Sequence, residues 1–439
     1  MTRVLIIDTD GVGLSFGIRC ADAGHSVRWF VKPRPCNSLE SGKGFKVERI
    51  TNCVSSIGWA DLVFCTSNDD YLPRLEFFRK KGAPVFAPSV ASAALEIKRA
   101  DGMKFLEKNG IECPPYKTFK TLKEAESHVM KTEQRYVFKT MGDNEDKSLS
   151  YCSKSPADMV ARLRRWQSLN MNPKGDVMLQ EFIPGIEMGV SRWMGRDGWI
   201  GAWNENFEHK KLMGGDCGPN TGEMGTMAAY VKTSKLATEV LEKLDKPLLA
   251  LGHIGDCDLN CIIDEKGKAW PLEFTNRPGW PIFNIMLSEH KGDPVQWMAD
   301  ALQGKDTLQV SYDMAIGVVI AQPDFPYGNL DKKETSGIPI YGVTKKNKNY
   351  IHPQSVMMAK QPDMDGGKVV ERNIWTTAGD YIAVVTGLGE SITQARKRAY
   401  STVDEISIPN MIYRNDIGMR LEKQLPKLKA MGYATDIVF

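Results

Sequence analysis

Residues 257–277 read CDLNCIIDEKGKAWPLEFTNR, two runs of alternating character on either side of the polar stretch Glu265–Lys268. Strand side chains alternate between faces and a short glycine-containing turn reverses the chain, so the pattern is that of an antiparallel hairpin. With the turn centred on Glu265–Lys268, Asp258 falls opposite Glu273. Asp256, Asp258 and Asn260 then share a face with Glu273, Thr275 and Arg277. Opposed β-carbons lie about 5 Å apart, close enough for two carboxylates to share a divalent cation, and costly if both are ionised and unpaired. Oxygen ligands beside an arginine suit a magnesium–triphosphate site. A register slip of a residue or two leaves Glu273 a safer ligand than Asp258, and Asn276 stands beside Thr275 as an alternative donor. The competing reading is an amphipathic hairpin with one solvated acidic face.

Three further segments upstream carry chemistry. YVFKT (136–140) is a strand delivering Lys139, followed by the polar loop MGDNEDKSL with Lys147. A strand-borne lysine neutralises phosphates as a point charge, and loop amides close over a triphosphate. VMLQEFIPGIE (177–187) is an apolar strand ending at Gln180–Ile183 before a Pro–Gly turn and Glu187. Backbone groups at such a strand end read an adenine edge, and the following carboxylate accepts ribose hydroxyls. GGDCGPNTGEMGTM (214–227) is rich in exposed amides of the kind that bind anions, with Asn220, Thr221 and Glu223 as fixed donors and acceptors.

The remaining pattern sets the frame. Strand-like Val4–Ile7, Ser26–Val31, Leu62–Cys65 and Val85–Ala87 alternate with a helix ending at Gly24 and the helical stretch Tyr71–Lys81, which predicts a small doubly wound α/β domain. DGVGLSFG misses the spacing of a dinucleotide fingerprint, and its second strand leads to Lys32 rather than an acidic residue, which counts against a nicotinamide site and favours a structural tight turn. A helix is predicted over Ala91–Lys108, strands at Tyr136–Thr140 and Val177–Ile183 with helical Pro156–Leu169 between them, a Gly-rich polar region at 193–230, and a helix over Lys235–Leu251. Beyond 315, strands near Gly317–Ala321, Gly367–Val370 and Tyr381–Gly387 and the helix Ser391–Ile406 make one more mixed lobe.

At 439 residues, two to four structural units are expected. A net charge of +3 without basic blocks excludes nucleic acid and anionic membrane as main partners. Nine scattered cysteines without a CxxC pair fit reduced thiols. The opening MTRVLIIDTDG has neither a secretory nor a membrane-spanning run, so a cytoplasmic location is expected.

Taken in order, these segments resemble glycinamide ribonucleotide synthetase, also called phosphoribosylamine–glycine ligase, of the ATP-grasp superfamily. VFAPSVASAALE (85–96) resembles the family's entry into the ATP-grasp module, VFKTMGDNEDKSL its ATP loop, LQEFIPGIE its EEFLxGxE, GPNTGEMG its GPNTGGMG and LEFTNRPGWP its EFNxRxGDPE. YGNLDKKETSGIPIYG, GGKVV, SITQARKRAYSTVDEI and YRNDIG match its C-terminal lobe.

The resemblance implies a multidomain α/β and α+β chain. It comprises a Rossmann-like N-terminal domain (1–91), an ATP-grasp domain (92–310) with a nucleotide lid near 115–185, and a mixed C-terminal lobe (311–439). It implies ATP and Mg²⁺ (or Mn²⁺) as cofactors, phosphates on Lys139, Lys147 and Lys98 (or Arg99), adenine along Gln180, Glu181, Phe182 and Ile183, and ribose on Glu187. The metal falls to Glu273, Asn276 and Asp258, and catalysis to Arg277, Asn220 and Thr221. The loop Gly218, Pro219, Asn220, Thr221, Gly222, Glu223, Met224, Gly225 would cover glycine or another small amino acid and an amine such as phosphoribosylamine. A monomer or homodimer is expected.

Three departures bear on the substrate. The family's N-terminal GGREHA, implicated in holding the phosphorylated sugar amine, is replaced by DTDGVGLSFG. The ATP loop carries Asp143, Asn144, Glu145 and Asp146, and Thr275 stands at the family's asparagine. The alternatives are therefore a ligase joining glycine or another amino acid to a different amine, or an inactive nucleotide-binding relative.

Overall fold

The run RVLIID forms β1 (Arg3–Asp8), buried over five of its six residues as a parallel strand covered on both faces must be. Helix α1 (Leu14–Asp22) leads to β2 (Ser26–Val31) and β3 (Glu48–Ile50), then β4 (Leu62–Cys65), helix α2 (Leu72–Lys80) and β5 (Val85–Phe86). These five strands run parallel in the order β3-β2-β1-β4-β5, the doubly wound arrangement that the strand–helix alternation predicts. The computed structural model describes residues 1–32, 40–68, 70–141, 150–171 and 175–439.

The single helix expected over Ala91–Lys108 is two. Helix α3 (Val90–Ile97) opens with a reciprocal Ser89–Ser92 capping box, and α4 (Arg99–Lys108) follows across Lys98, which leaves helical geometry at φ −103° and ψ 82°. Gly102 makes this break possible, because a β-carbon there would stand 2.3 Å from the Leu95 carbonyl oxygen.

A four-stranded antiparallel sheet follows, built from β6 (Tyr116–Phe119), β7 (Tyr136–Thr140), β8 (Tyr151–Cys152) and β9 (Val177–Glu181) in the order β6-β9-β7-β8. Helices α5 (Leu122–Thr132) and α6 (Pro156–Ser168) share its own apolar core, with Phe138 stacked at 4.8 Å on Trp166. This unit stands where the nucleotide lid is expected.

The remainder is organised by one large sheet. Its segments are β10 (Gly185–Gly195), β11 (Gly198–Glu208), the short pair β12 (Lys211–Met213) and β13 (Cys217–Asn220), β14 (Gly225–Val231), β15 (Gly255–Asp264) and β16 (Ala269–Thr275). The pair β17 (His290–Lys291) and β18 (Gln309–Val310) precedes β19 (Met314–Ala321), β20 (Ser336–Pro339), β21 (Ile351–Pro353), β22 (Val356–Asp365), β23 (Lys368–Ala378) and β24 (Tyr381–Gly389). Eight of them make one sheet in the order β16-β15-β10-β11-β14-β19-β24-β21, while β20, β22 and β23 form a separate three-stranded sheet. Because β14 pairs with β19, the sheet runs unbroken through the expected 310/311 boundary.

The Gly-rich region 193–230 is largely strand, and its polar residues arise because β11 and β14 turn Asn204, Asn206 and Thr226 onto a buried face. Two expectations are corrected here. The helix expected over Lys235–Leu251 breaks into α7 (Lys235–Glu239), a 3₁₀ turn and α8 (Asp245–Ala250), where Pro247 has no amide to continue the ladder. In the hairpin, Asp258 lies opposite Thr275, not Glu273, whose partner is Asn260. The register differs from the expected one by two residues, one arising at the turn and one at a bulge between Asn260 and Cys261, and a shift of two leaves the shared face intact. Helix α9 (Ile282–Glu289) then packs over β14, β19 and β24.

Candidate active site

The face common to β10, β11, β15 and β16 gathers a compact set of opposite charges. Lys210, two residues past the end of β11, places Nζ 2.8 Å from Glu187, 3.1 Å from Glu208 and 3.8 Å from Glu273. Asn260 donates its amide to Glu187 at 2.8 Å and to Glu208 at 3.2 Å, and Arg99 closes the far side of Glu273 at 3.1 Å. Burial alone would push the Glu187 carboxyl up, but the Lys210 charge and hydrogen bond outweigh it and hold it below its ordinary value. Burial would likewise lower the Lys210 ammonium, yet Glu187, Glu208 and Glu273 together hold it well above its usual range. The Glu208 carboxyl stays raised, chiefly by burial.

Lys139 approaches this cluster from the lid sheet. It is buried and forms no ion pair among the described residues. Burial, then the charge of Arg99, pulls its ammonium down to about 7, with Glu273 and Glu187 opposing. Of the two basic residues at the α3–α4 junction, Arg99 reaches the site, whereas Lys98 is exposed. Lys147 and the acidic residues 143–146 lie outside the described residues. Along the lid edge, Gln180 is buried in β9 with its amide nitrogen unpartnered among the described residues. The Glu181 and Phe182 amides are spent on the carbonyls of Pro115 (2.8 Å) and Arg135 (3.0 Å), and Arg135 lies 3.3 Å over the Phe182 ring. Ile183 follows, half-buried, before the turn into β10.

The end of the hairpin is tied to the N-terminal half rather than to the carboxylates. Asn276 donates its side-chain amide to the Ser92 carbonyl at 2.7 Å and its backbone amide to Glu96 at 2.8 Å, leaving its buried Oδ1 unpartnered among the described residues. Arg277 pairs with the same Glu96 at 3.2 Å, and Asn68 adds a 2.7 Å bond to it. Asp258 accepts from Asn206 at 2.7 Å, and burial followed by Glu208 pushes its carboxyl up to about 8.

The glycine-rich loop is a folded excursion between β11 and β14. Thr221 donates both its hydroxyl (2.9 Å) and its amide (2.8 Å) to the Lys210 carbonyl, so its side chain fixes the loop that presents Lys210. Gly218 and Gly222 are exposed and Pro219 half-buried. Asn220 is exposed in β13, while Glu223, Met224 and Gly225 are buried. Arg414, 1% exposed, braces the loop from the C-terminal segment through Asp216 (2.9 Å), Asp416 (2.8 Å) and the Lys211 carbonyl (3.0 Å). Arg420 donates to the Glu208 carbonyl.

Sequence reasoning missed Lys210, Glu208, Asn206 and Glu96. The signal for the first two was FEHKK at 207–211, a charged strand end running into the Gly-rich loop. Glu96 ends the segment VFAPSVASAALE, whose apolar spacing reads only as helix.

A divalent cation fits this arrangement. The Lys210 ammonium already stands where a positive charge is shared by three carboxylates. Among the described residues no three acidic, histidine or cysteine side chains form a ready-made cage. That is the donor set of an ion held by one or two carboxylates and completed by phosphate oxygens and water.

Residues 101–251 match the family model described as phosphoribosylglycinamide synthetase, ATP-grasp (A) domain, and residues 315–420 match that of its C domain. A phosphoribosylamine–glycine ligase from Ralstonia nicotianae is 28% identical, over 79% of this chain and 81% of the relative. One from Lactococcus lactis is 26% identical over 79% and 80%. Among solved structures, the phosphoribosylamine–glycine ligase of Thermotoga maritima superposes with a TM-score of 0.71 at 20% identity, covering 95% of this chain and all of that one. An ADP complex of N5-carboxyaminoimidazole ribonucleotide synthetase gives 0.58 at 14% identity, covering 92% and 96%. With both domain models matched in order on one chain, this protein belongs to the phosphoribosylglycinamide synthetase family of ATP-grasp ligases.

Proposed function

We propose that the chain joins a small amino acid, glycine foremost, to an amine at the expense of ATP, as an ATP-dependent carboxylate–amine ligase of the type used in purine biosynthesis. The observation that carries this is the convergence of Lys139, Arg99 and Lys210 with Glu187, Glu208 and Glu273 between the lid sheet and the large sheet. Lys139 and Arg99 neutralise the transferring phosphoryl group, and Arg277 orients the carboxylate as it attacks that group. The product is an acyl phosphate and ADP. The amine then attacks the acyl carbon, the bond to phosphate breaks, and an amide and phosphate leave.

Gln180, Glu181, Phe182 and Ile183 line the adenine and Glu187 takes the ribose. Since the Glu181 and Phe182 amides are already engaged, these two residues serve the base through carbonyl oxygens. Glu273 and the Asn276 Oδ1 would hold a magnesium ion, which when bound would neutralise phosphate charge. The Gly218–Gly225 loop covers the amino acid, since a glycine-rich lining admits close backbone approach. The domains divide near 91 and, with one sheet shared across the division, near 310, and the protein works in the cytoplasm as a monomer or homodimer. Among the described residues no helix is long and apolar enough to cross a membrane, and the cysteines are free thiols.

Magnesium-dependent ADP release from the purified chain tests this reading. Release should require both an amino acid and an amine, and Glu273→Gln should reduce it by at least about a hundred-fold with the fold intact. Release that needs neither co-substrate, or a variant with unchanged turnover across a magnesium titration, would count against it.

A further inference from the structure

The inner part of the large sheet carries an accumulation of buried polar groups that the ATP chemistry leaves unused. Register places Asp256, Asp258 and Asn260 of β15, Ser191 of β10, Asn204 and Asn206 of β11 and Thr226 of β14 on one face. Gly189 leaves space for the Asn206 side chain to cross to Asp258, for a β-carbon there would stand 2.2 Å from Asn206 Oδ1. Asn204 is fully buried with both amide atoms unpartnered among the described residues. So are Asp256 Oδ1, Asn206 Oδ1, the Thr226 hydroxyl and Glu223 Oε1.

Each unsatisfied buried group costs about 1–3 kcal/mol, so their concentration on one face marks a surface completed by a ligand. Three carboxylates, Asp256, Asp258 and Glu223, set its sign. The cations at its border are engaged elsewhere, Lys210 by Glu187 and Glu208, and Arg277 by Glu96.

We propose that this face is the acceptor subsite and that it takes an amine bearing a second, positively charged nitrogen rather than a phosphorylated amine. This rests on the ligase reading above. Two residues along a strand span about 7 Å, so Asp258 lies that far inward from Asn260, which holds Glu187 and Glu208, and Asp256 as far again. A diamine with roughly four or five carbons between its nitrogens bridges the first interval. Its unprotonated end forms the C–N bond to the acyl carbon. The carbon–oxygen bond to phosphate breaks with its electron pair going to phosphate, which also accepts the nitrogen's proton.

The N-terminal turn agrees. The amides of Gly11 (3.0 Å) and Gly13 (2.6 Å), which in a glycine-rich strand-to-helix turn are ordinarily open to a phosphate, both donate to the Asp8 carboxylate. Trp29 and Thr66 bind the same group at 2.9 Å each. An anion there would meet a buried carboxylate instead of free donors.

The test is calorimetric titration of putrescine, butylamine and aminobutyl phosphate into the full chain with a non-hydrolysable ATP analogue, magnesium and glycine, with ADP release measured in parallel on ATP. Putrescine should bind about ten-fold tighter than butylamine, and aminobutyl phosphate more weakly than either. Asp258→Asn, at the far end of the bridged interval, and Glu223→Gln, which keep side-chain shape, should each weaken putrescine about ten-fold while butylamine, which lacks the second charge, changes little. Tighter binding of the phosphorylated amine, or putrescine binding indifferent to both substitutions, would overturn the proposal. ADP release with phosphoribosylamine but not with putrescine would also overturn it and leave the ligase reading standing. Charge-dependent putrescine binding without ADP release from any amino acid would uphold the subsite and remove the ligase reading.

Discussion

Lys139 is a cation held ready for an anion. Its ammonium, pulled down to about 7 by burial and by Arg99, is partly neutral above that pH in the unliganded protein, and a bound triphosphate favours its charged form. ATP binding therefore takes up a proton, and affinity should fall as pH rises through about 7. Lys139→Ala should weaken a non-hydrolysable ATP analogue by about ten- to a hundred-fold and flatten this dependence, both read by calorimetry across pH. Glu205 offers a contrast on the opposite face of β11. It is buried, accepts from Ser234 at 2.6 Å, and is raised by burial to about 7 against an ordinary 4.5. The folded state thus keeps a proton that the unfolded chain has lost, and this contribution to stability is present below about 4.5 and disappears as pH rises through about 7. Melting temperature measured from pH 5 to 8 should fall less in Glu205→Gln than in the parent protein. Lys139 and Glu273 were legible because a lysine in a β-rich run and an acid in a hairpin stand out locally. Lys210 was not, since only the fold brings that strand end to the cluster, and Arg99 entered only as the alternative to Lys98.

The hairpin over Gly255–Thr275 shows what alternation can and cannot reveal. Which residues share a face follows from a period of two and survives any slip by an even number, whereas the Asn260–Cys261 bulge that fixes the opposed pairs leaves no mark in the text. The sequence left β10, β11 and β14 unassigned, because a buried face bearing Ser191, Asn204, Asn206 and Thr226 lacks the apolar alternation that marks a strand. At this scale the Gly-rich loop depends on its brace. Arg414 is fully enclosed by two aspartates and a carbonyl, and removing one partner of such a buried network leaves charges uncompensated. Arg414→Ala should lower stability by about 3 kcal/mol in urea unfolding and raise the KM for the amino acid.

Over the whole molecule, one antiparallel sheet spans residues 185–389 and joins the segment matching the ATP-grasp domain to the C-terminal lobe, while the four-stranded sheet β6-β9-β7-β8 keeps a separate core. The sequence divided these lobes by resemblance, and nothing in its composition announces that β14 and β19 would pair across them. The arrangement gives the reaction a rigid floor carrying Glu187, Glu208 and Glu273 and a separately packed roof carrying Lys139, the geometry that a phosphoryl transfer without covalent catalysis demands. Such a transfer activates the carboxylate as an acyl phosphate before the amine arrives. Glycine labelled with oxygen-18 in its carboxylate, incubated with ATP, magnesium and the accepted amine, tests this by mass spectrometry of the released phosphate. The account predicts one labelled oxygen in each phosphate formed, matched by an equal yield of amide. Unlabelled phosphate accompanying ADP would show that water, not the carboxylate, receives the phosphoryl group.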